Sequence, residues 1–529
     1  MEKTVLWFLV LLITVVGLAA CGGSGPPSTD EPVAPAATGV SPADGSPTLV
    51  PPFVGTLTVG LSADAESMDP LYVNQAAGWS VVQAVFDHLI DRDFEGNLVP
   101  GLALSWTAVG TLTLEFELRQ GVTFHNGEPF NAESVKLSVD RILAEEEAPN
   151  RSKFTAIESV EIVDDYTVRF LLNQPDGTLF DSLTSRLAML PPEYFEEVGA
   201  EGFAAVPVGT GPFKFVEWMP DDHVTLVANE NYWSGSYKGK PQVETVIFRP
   251  IPEAATRLAE LQTGGIDVMQ DLSTDQIAAV ESAGMTVVPH EAFQLSYVFF
   301  VADDDSLPTH DVRVRQALNY AVDVDAIIEN LLGGYGSRIA SPIGPGYLGH
   351  DLGVEPYVYD PDRALALMAE AGYADGFETT LDVTTAARTD VIEAVAGYLN
   401  EIRVEVTIQE FEMGQFNQNW MDRTQSMLWA ARWGNTPDPQ SIGLFASCTG
   451  WISRYCNEEV TVLLDAAQTT LDQEERARLY SEASQLMRDD PLAIYLSTST
   501  QIYGLGARVQ GFRPSPLLAI IVSGVSVSE

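Results

Sequence analysis

The chain has 529 residues, of which 46% are hydrophobic, so it is long enough to bury more than one core. Its formal net charge of −46 at pH 7 excludes nucleic acid as a partner, because binding to phosphates requires lysine and arginine that this sequence lacks. The acidic residues are dispersed along the chain, which is typical of a solvated surface and not of a cation-binding site.

The first twenty residues have the pattern of an export signal. Lys3 precedes an apolar run over residues 5–16, and small residues then lead to Cys21. This pattern resembles a bacterial lipoprotein signal, so residues 1–20 are predicted to be a signal peptide and Cys21 to be lipidated. The run is shorter than the ~20 apolar residues that a membrane-spanning helix requires, and an uncleaved anchor stays open as the alternative. Residues 21–52 are rich in Gly, Pro and Ser and are predicted to form a disordered tether.

After the tether, the first periodic patterns predict a strand and a helix. Residues 55–61 alternate between apolar and polar side chains, as a strand does when one of its faces is buried. Residues 79–89 carry apolar side chains at spacings of three and four, which predicts a helix.

Residues 112–143 carry the most regular pattern in the chain. Apolar and polar residues alternate from Leu112 to Leu118, which predicts another half-buried strand. Asn126-Gly127 can supply the positive φ angles of a tight turn between two strands. Asn131 stands where the N-cap of a helix belongs, and apolar residues recur at helical spacing after it.

These residues also resemble a known family. The run from Phe116 to Val135 contains Leu-Arg-x-Gly-Val-x-Phe-His-Asn-Gly-x-Pro-Phe, which resembles the signature of the large extracytoplasmic solute-binding proteins of the peptide and nickel transport family, family 5. The likeness continues in the family's motif order over roughly residues 53–515. His125 and Asn126 are expected to be turn and packing groups within this motif.

Later patterns predict further elements of a mixed α/β chain. Gly209-Thr210-Gly211 lacks the Lys-Ser/Thr ending of a phosphate-binding loop and is predicted to lead into a strand. Capping residues predict a helix that starts after Asp360 and ends before Gly372, and a capping box of Asp472 with Glu475. The remaining patterns predict strands at 157–172, 246–250 and 294–301 and helices at 254–261 and from 311 onward.

The resemblance implies a fold and a division into domains. The fold is expected to be α/β, two-lobed and periplasmic-binding-protein-like (type II, large cluster C), with an extra inserted domain. Lobe I is expected to be discontinuous, over residues 53–78, 207–293 and 500–529. Inserted domain II would span residues 79–206, and lobe III residues 294–499.

The resemblance also implies a function. The protein is expected to be the extracytoplasmic substrate-binding component of an ABC importer, lipid-anchored to the cell membrane in the periplasm or at the cell surface. It would act as a monomer, capture a small solute between its lobes and deliver it to a membrane permease. A peptide is the leading solute, and a nickel chelate, a sugar or another polar solute is the alternative.

The sequence lacks several common enzyme and metal-binding motifs. It contains no Gly-x-Ser-x-Gly, no His-Glu-x-x-His and no P-loop, and its six histidines show no metal-ligand spacing. No catalytic residue, metal site or cofactor is therefore predicted. A secreted hydrolase and a chemosensory receptor remain as alternatives from other classes.

The segment 427–439 is the candidate for ligand binding. In relatives that take up peptides, a Trp in this segment lines the cleft and a following Asp pairs with the peptide's ammonium group. Asn435 stands about where that Asp would be, and a neutral amide cannot match the attraction of a carboxylate. Arg432 and Arg186 are suited to an anionic group, and Trp433 and Tyr297 to stacking on a ligand. The ligand-binding candidates are thus Trp433, Asn435, Asp438, Arg432, Tyr297 and Arg186, although packing for Trp433 and a turn at Asp438 are the alternatives.

Two cysteines remain if Cys21 is lipidated. Cys448 and Cys456 flank a loop with seven residues between them, and a disulfide suits an oxidising compartment. Two free buried thiols are the alternative. A zinc site is not expected, because no set of His and Cys ligands is near.

Overall fold

The computed structural model describes residues 55–385, 387–434 and 436–528. The predicted signal peptide, Cys21 with the tether, and Asn435 lie outside the described residues.

Short strands and helices alternate along the described chain. The strands are β1 Thr56–Leu61, β2 Ile90–Arg92, β3 Leu98–Pro100, β4 Ala103–Gly110, β5 Thr113–Leu118, β6 Ile157–Asp164, β7 Thr167–Leu172, β8 Phe213–Met219, β9 His223–Ala228, β10 Thr245–Pro250, β11 Val268–Met269, β12 Thr286–Phe300, β13 Phe377–Thr384, β14 Val404–Phe411, β15 Leu428–Trp433, β16 Ala493–Leu505, β17 Val509–Gln510 and β18 Ser526–Val527. The helices are α1 Ala76–Val85, α2 Ala132–Ala144, α3 Leu179–Leu183, α4 Pro192–Ala205, α5 Ala254–Thr263, α6 Ile277–Ser282, α7 Val312–Ala321, α8 Val324–Asn330, α9 Pro361–Glu370, α10 Thr389–Glu401, α11 Met413–Met421, α12 Gly443–Ala446, α13 Glu458–Thr469 and α14 Gln473–Asp489. Within the described ranges, no helix combines the length and apolar character needed to cross a membrane.

Ten strands form one mixed sheet in the order β14-β13-β15-β12-β16-β11-β1-β10-β9-β8. Its two long central strands, β12 and β16, pair antiparallel almost end to end, from Thr286 opposite Leu505 to Phe299 opposite Ala493. The strand predicted at 294–301 is the second half of β12. β13 runs parallel to both of its neighbours, β14 and β15.

Two large hydrophobic cores lie along this sheet. The first core gathers side chains from β1, α1, β5, β7 and the C-terminal tail, and the second core gathers side chains from the chain between residues 293 and 496. β12 and β16 contribute to both, since Val288 and Tyr503 pack with the first core while Tyr297 and Ile494 lie in the second. Two continuous strands therefore connect the two cores.

The region around residues 112–143 folds much as predicted. β5 lies inside a four-stranded antiparallel sheet of order β4-β5-β7-β6, and Leu114 and Phe116 point into the first core with no exposed surface. The Asn131 side chain accepts a hydrogen bond from the N–H of Glu133 and caps α2. The second predicted strand is reduced to a single bridge between Thr123 and Pro129 around the turn.

The helix predicted over 79–89 is wrong at both ends, because α1 spans Ala76–Val85. Beyond α1 the chain turns so that Asp87 is fully buried beside Lys238, with 2.9 Å between Oδ1 and Nζ. Lys238 also donates to the carbonyls of Gln83 and Phe86, at 3.0 and 2.7 Å. Lys238, the residue whose contacts end α1, thus lies 151 residues after Asp87 in the sequence.

Two later helices, α9 and α14, begin at the cap residues that the sequence predicted. Asp360 caps α9, and Gly372 follows the helix with a positive φ, as the pattern predicted. Asp472 caps α14 by accepting from the N–H groups of Glu474 and Glu475. The predicted capping box is incomplete, because the carboxylate of Glu475 binds Arg478 instead of the cap's backbone.

Candidate functional site

A cavity of about 100 Å³ lies beside the second core, at the carboxyl end of β13. Residues just after β13 line one side, and the small side chains of Ala430 and Ala431 on β15 leave space on the other. Ligands commonly bind outside the carboxyl ends of parallel strands, and β13 is parallel to both neighbours. Most of the wall is apolar, with the side chains of Val324, Ile327, Leu332, Val391, Ile392 and Phe416.

Two arginines and no acidic residue line this cavity. Arg388 is neutralised, because its Nε lies 2.8 Å from Oδ1 of Asp390 and its guanidinium also donates to the carbonyl of Leu331. The guanidinium of Arg432 has no hydrogen bond or ion pair with any described residue, although its backbone pairs with Ser296 in the sheet. Burial, together with the nearby charge of Arg388, lowers the pKa of Arg432 to about 10. Arg432 is thus a cation without a counterion on the wall of the cavity.

Tyr297 lines the same cavity. Its ring packs against Phe299 and Tyr495, and only 2% of the residue is exposed. Burial raises the pKa of its hydroxyl well above the ordinary value, so the group stays a neutral hydrogen-bond donor.

Trp433 is placed in the second core and does not line the cavity. Its Nε1 donates to Oγ of Ser441 at 2.9 Å, and its ring meets those of Phe445 and Trp420. The indole has a single hydrogen-bond donor, and Ser441 already accepts from it. Asn435, which follows two residues later, is outside the described residues.

Asp438 already has a strong partner. Its carboxylate forms a bidentate ion pair with Arg476, at 2.6 and 3.0 Å, and both side chains are buried. It also accepts from the N–H of Gln440 and caps the short 3₁₀ turn at Pro439–Ile442. Burial works against the charge of Arg476, but Asp438 outweighs it and raises the pKa of the guanidinium. This carboxylate therefore holds the turn and a neighbouring helix together.

Arg186 lies at a different place from Arg432. It lines a second, smaller cavity of about 10 Å³, together with Trp79, Gln83, Ser185, Leu517 and Ala519. Its guanidinium carbon lies 4.6 Å from the centre of the Trp79 ring. Burial lowers the pKa of Arg186 to about 10, although the charges of Asp181 and Glu66 act against this. The structure thus does not bring the two arginines to one cavity.

The two cores also touch near these sites. Nε2 of Gln440, beside the second core, donates to Oδ2 of Asp181 on α3 at 3.0 Å, and Arg92 holds the other oxygen of Asp181 at 2.8 Å. The N–H of Gly177 donates to the carbonyl of Gln468 at 2.7 Å. The four-stranded sheet and its helices are therefore joined to the second core by polar contacts.

Of the residues predicted from the sequence, Arg432 and Tyr297 line the larger cavity, whereas Arg388 and Arg476 were not predicted. Arg388 stands just past a strand, in Thr-Thr-Ala-Ala-Arg, and its position after a parallel strand was the available signal. Arg476 lies within a helix 38 residues after Asp438, and no local pattern marks the pair. Cys448 and Cys456 are joined by a disulfide in the structure. In the described ranges, no group of three or more His, Cys, Asp or Glu side chains is arranged to hold a metal ion.

Comparisons with known proteins identify the family and the fold. Residues 97–452 match the family described as "Bacterial extracellular solute-binding proteins, family 5 Middle". The chain is 30% identical over 482 residues to heme-binding protein A of Haemophilus influenzae, covering 84% of this chain and 87% of that protein.

Two solved structures give the fold. The structure of HbpA2 from Haemophilus parasuis is 28% identical with a TM-score of 0.80, covering 90% of this chain and 100% of that one. The periplasmic binding protein DppA of Helicobacter pylori, solved with the peptide STSA, is 26% identical with a TM-score of 0.71, covering 90% and 99%. The chain belongs to the bacterial extracellular solute-binding proteins of family 5, the two-lobed substrate-binding components of ABC importers.

Proposed function

We propose that this protein captures a short peptide, with the peptide's acidic end against Arg432 and its apolar part against the wall of the larger cavity. The unpaired guanidinium of Arg432 is the observation that carries the proposal. Desolvating a cation without a partner costs free energy, and a carboxylate would offset that cost through charge-assisted hydrogen bonds. The peptide-bound relative from Helicobacter pylori supports a peptide as the solute.

The proposed capture involves no covalent step. The hydroxyl of Tyr297 would donate a further hydrogen bond to the bound peptide, and Ala430 and Ala431 would let its backbone approach β15. A ligand that contacts residues of both cores can make all of its contacts only when the two cores lie close together. Ligand would therefore shift the population toward a closed form, which the permease would recognise.

The proposed architecture follows the predicted boundaries. Lobe I would comprise residues 53–78, 207–293 and 500–529, with domain II at 79–206 and lobe III at 294–499. The separate cores and the passage of β12 and β16 between them support the division between lobe III and the other two parts, which share the first core.

The proposed setting is outside the cytoplasm. A signal peptide over residues 1–20, a lipid on Cys21 and a tether over residues 21–52 would hold a monomer at the membrane surface. The sequence pattern around Cys21 supports this anchor.

The proposal is tested with three forms of one tripeptide, titrated by calorimetry: trialanine, trialanine amide and N-acetyl-trialanine. We expect amidation of the carboxylate to weaken binding roughly 10- to 100-fold, because a charge-assisted hydrogen bond contributes about 1.5–3 kcal/mol. N-acetylation should have little effect, since no acidic residue lines the cavity. Equal affinity for trialanine and its amide would contradict the role of Arg432.

The matched variants are Arg432→Gln and Arg363→Gln. Arg363 is exposed on α9, so its replacement changes the net charge equally without touching the cavity. We expect Arg432→Gln to lose the preference for the free carboxylate and Arg363→Gln to keep it. Native mass spectrometry of protein purified from its own cells then identifies the solute, and a sugar found repeatedly would overturn the peptide.

A further inference from the structure

The smaller cavity beside α1 contains polar atoms without partners. Trp79 Nε1, Gln83 Oε1 and Arg186 Nη1 are all buried, and none of them has a hydrogen bond. Trp79 is 5% and Gln83 is 3% exposed, so neither side chain can satisfy these atoms from bulk water. Buried polar atoms are normally paired. Three unpaired atoms around one cavity therefore form a site for a polar group.

The arginines of the whole chain give an independent argument. The sequence has 74 acidic residues against 28 basic ones, so counterions are abundant. Among the described arginines that are at least partly buried, only Arg186 and Arg432 have a guanidinium with neither a hydrogen bond nor an ion pair. An unpaired buried cation is costly, and each of these two faces a cavity.

We infer that the cavity of Trp79, Gln83 and Arg186 binds a second carboxylate of the same solute, so that the peptide carries at least two acidic groups. This inference rests on the proposed function. Arg186 Nη1 and Trp79 Nε1 would both donate to a carboxylate oxygen. The amide of Gln83, with its oxygen and nitrogen exchanged, would present a third donor.

The size of the cavity limits what enters it. About 10 Å³ is room for one oxygen atom, either that of a water or that of a carboxylate. The rest of the ligand would lie outside, past the partly exposed Arg186. The cavity is therefore large enough for the tip of an acidic group and too small for a ring or an apolar side chain.

The two cavities lie at different cores, so a ligand that occupies both would affect how the two cores come together. The smaller cavity is built from α1, the segment after α3 and the C-terminal tail, all of which pack with the first core. The larger cavity is built around the second core. A solute with two acidic groups would bind Arg186 at the first core and Arg432 at the second. It would therefore favour the closed form, in which the two cores lie close together.

The test compares peptides that differ by one carboxylate. Trialanine is titrated alongside Glu-Ala-Ala, Ala-Glu-Ala and Ala-Ala-Glu, by calorimetry at one ionic strength. We expect at least one glutamyl peptide to bind 10-fold or more tightly than trialanine. In Arg186→Gln that advantage should disappear while trialanine affinity stays unchanged, and in Arg432→Gln all four peptides should weaken. Arg363→Gln serves as the charge-matched control and should keep the advantage.

Thermal unfolding tests whether Arg186 binds the ligand or stabilises the fold. Removing an unpaired buried cation should leave the Tm of the ligand-free Arg186→Gln protein equal to or above that of the wild type. The increase in Tm caused by the preferred glutamyl peptide should fall to the increase caused by trialanine. A second variant, Gln83→Leu, should reduce the glutamyl advantage without affecting trialanine.

Each outcome has one meaning. If trialanine binds as tightly as every glutamyl peptide, no second carboxylate binds in the cavity and the inference fails, while the proposed peptide function stands. If the glutamyl advantage survives in Arg186→Gln, the second carboxylate lies elsewhere and the inference fails. If none of the peptides binds, the proposed function fails and the inference fails with it.

Discussion

At the scale of single residues, buried charges are tolerated where their partners are complete. The carboxylate of Asp87 accepts from Trp233, Tyr232 and Thr210 and pairs with Lys238. Burial alone would raise the pKa of Asp87, but Lys238 and the donors outweigh it and lower the pKa. This cluster joins α1 to the chain around residue 238, because Lys238 also binds the backbone carbonyl of Gln83.

Replacing Lys238 tests this cluster. Lys238→Met leaves a fully buried carboxylate without its cation, and we expect a loss of about 3–5 kcal/mol in the free energy of unfolding. The measurement is urea unfolding followed by circular dichroism. Lys240→Met, at an exposed position two residues away, is the control and should change stability by less than about 0.5 kcal/mol.

His125 gives the protein a dependence on pH. Its Nε2 lies 2.9 Å from the carbonyl of Gly211 and its Nδ1 accepts from the N–H of Gly209, so the ring is neutral. Burial lowers its pKa from 6.5 to about 4. Because the unfolded chain takes up the proton first as the pH falls, stability is present above pH 6.5 and is lost progressively down to about pH 4.

The size of this effect can be measured with a variant. A shift from 6.5 to about 4 corresponds to about 3 kcal/mol of stability lost across this range. His125→Asn has no proton to take up, so the stability difference between wild type and variant should narrow by about 2–3 kcal/mol from pH 7 to pH 4.5. His223→Gln, at a half-buried position beside Glu217 and Asp222, should not reproduce this narrowing. A constant difference for His125→Asn would contradict the burial effect.

At the scale of elements, sequence reasoning succeeded where the controlling contacts are local. The cap of α2 at Asn131 and the alternation in β5 depend on residues a few positions apart, and both appear as predicted. The end of α1 and the role of Asp438 depend on Lys238 and Arg476, which are distant in sequence. Arg432 was recognised by its charge and its place in a motif, but its lack of a counterion is visible only in three dimensions.

One edge of the four-stranded sheet has an unusual composition. β4 is an edge strand with no charged residue, and it exposes Leu104 at 40% and Val109 at 51%. The opposite edge, β6, carries Glu158, Glu161 and Asp164. Uncharged, exposed edge strands favour pairing between molecules.

A lysine on β4 should suppress such pairing. Thr107 is exposed in the middle of the strand, and we expect Thr107→Lys to lower self-association at high concentration without changing the Tm. Sedimentation velocity and light scattering measure the effect. Thr407→Lys is the matched control on β14, an edge strand already protected by Glu405 and Glu410, and it should change nothing. Equal self-association of all three proteins would exclude β4 as the contact.

At the scale of the whole molecule, we expect ligand affinity to depend also on residues that touch no ligand. Gln440 lines neither cavity, yet it connects the second core to Asp181 on α3. Suppose that the solute is bound by residues of both cores. Its apparent affinity is then the intrinsic affinity multiplied by the fraction of ligand-free molecules that are closed, with the two cores together. The bond between Gln440 and Asp181 raises that fraction.

Gln440→Ala removes this bond. A hydrogen bond contributes about 0.5–1.5 kcal/mol net, so peptide affinity should fall roughly 2- to 10-fold, with the preference among trialanine and the glutamyl peptides unchanged. Small-angle scattering of the ligand-free variant should show a larger radius of gyration than that of the wild type. Gln415→Ala is the control, since the Gln415 side chain is exposed on α11 and, in the described part of the chain, bonds to Asn419 alone. A change in peptide preference in Gln440→Ala would mean that Gln440 contacts the ligand and does not act through closure.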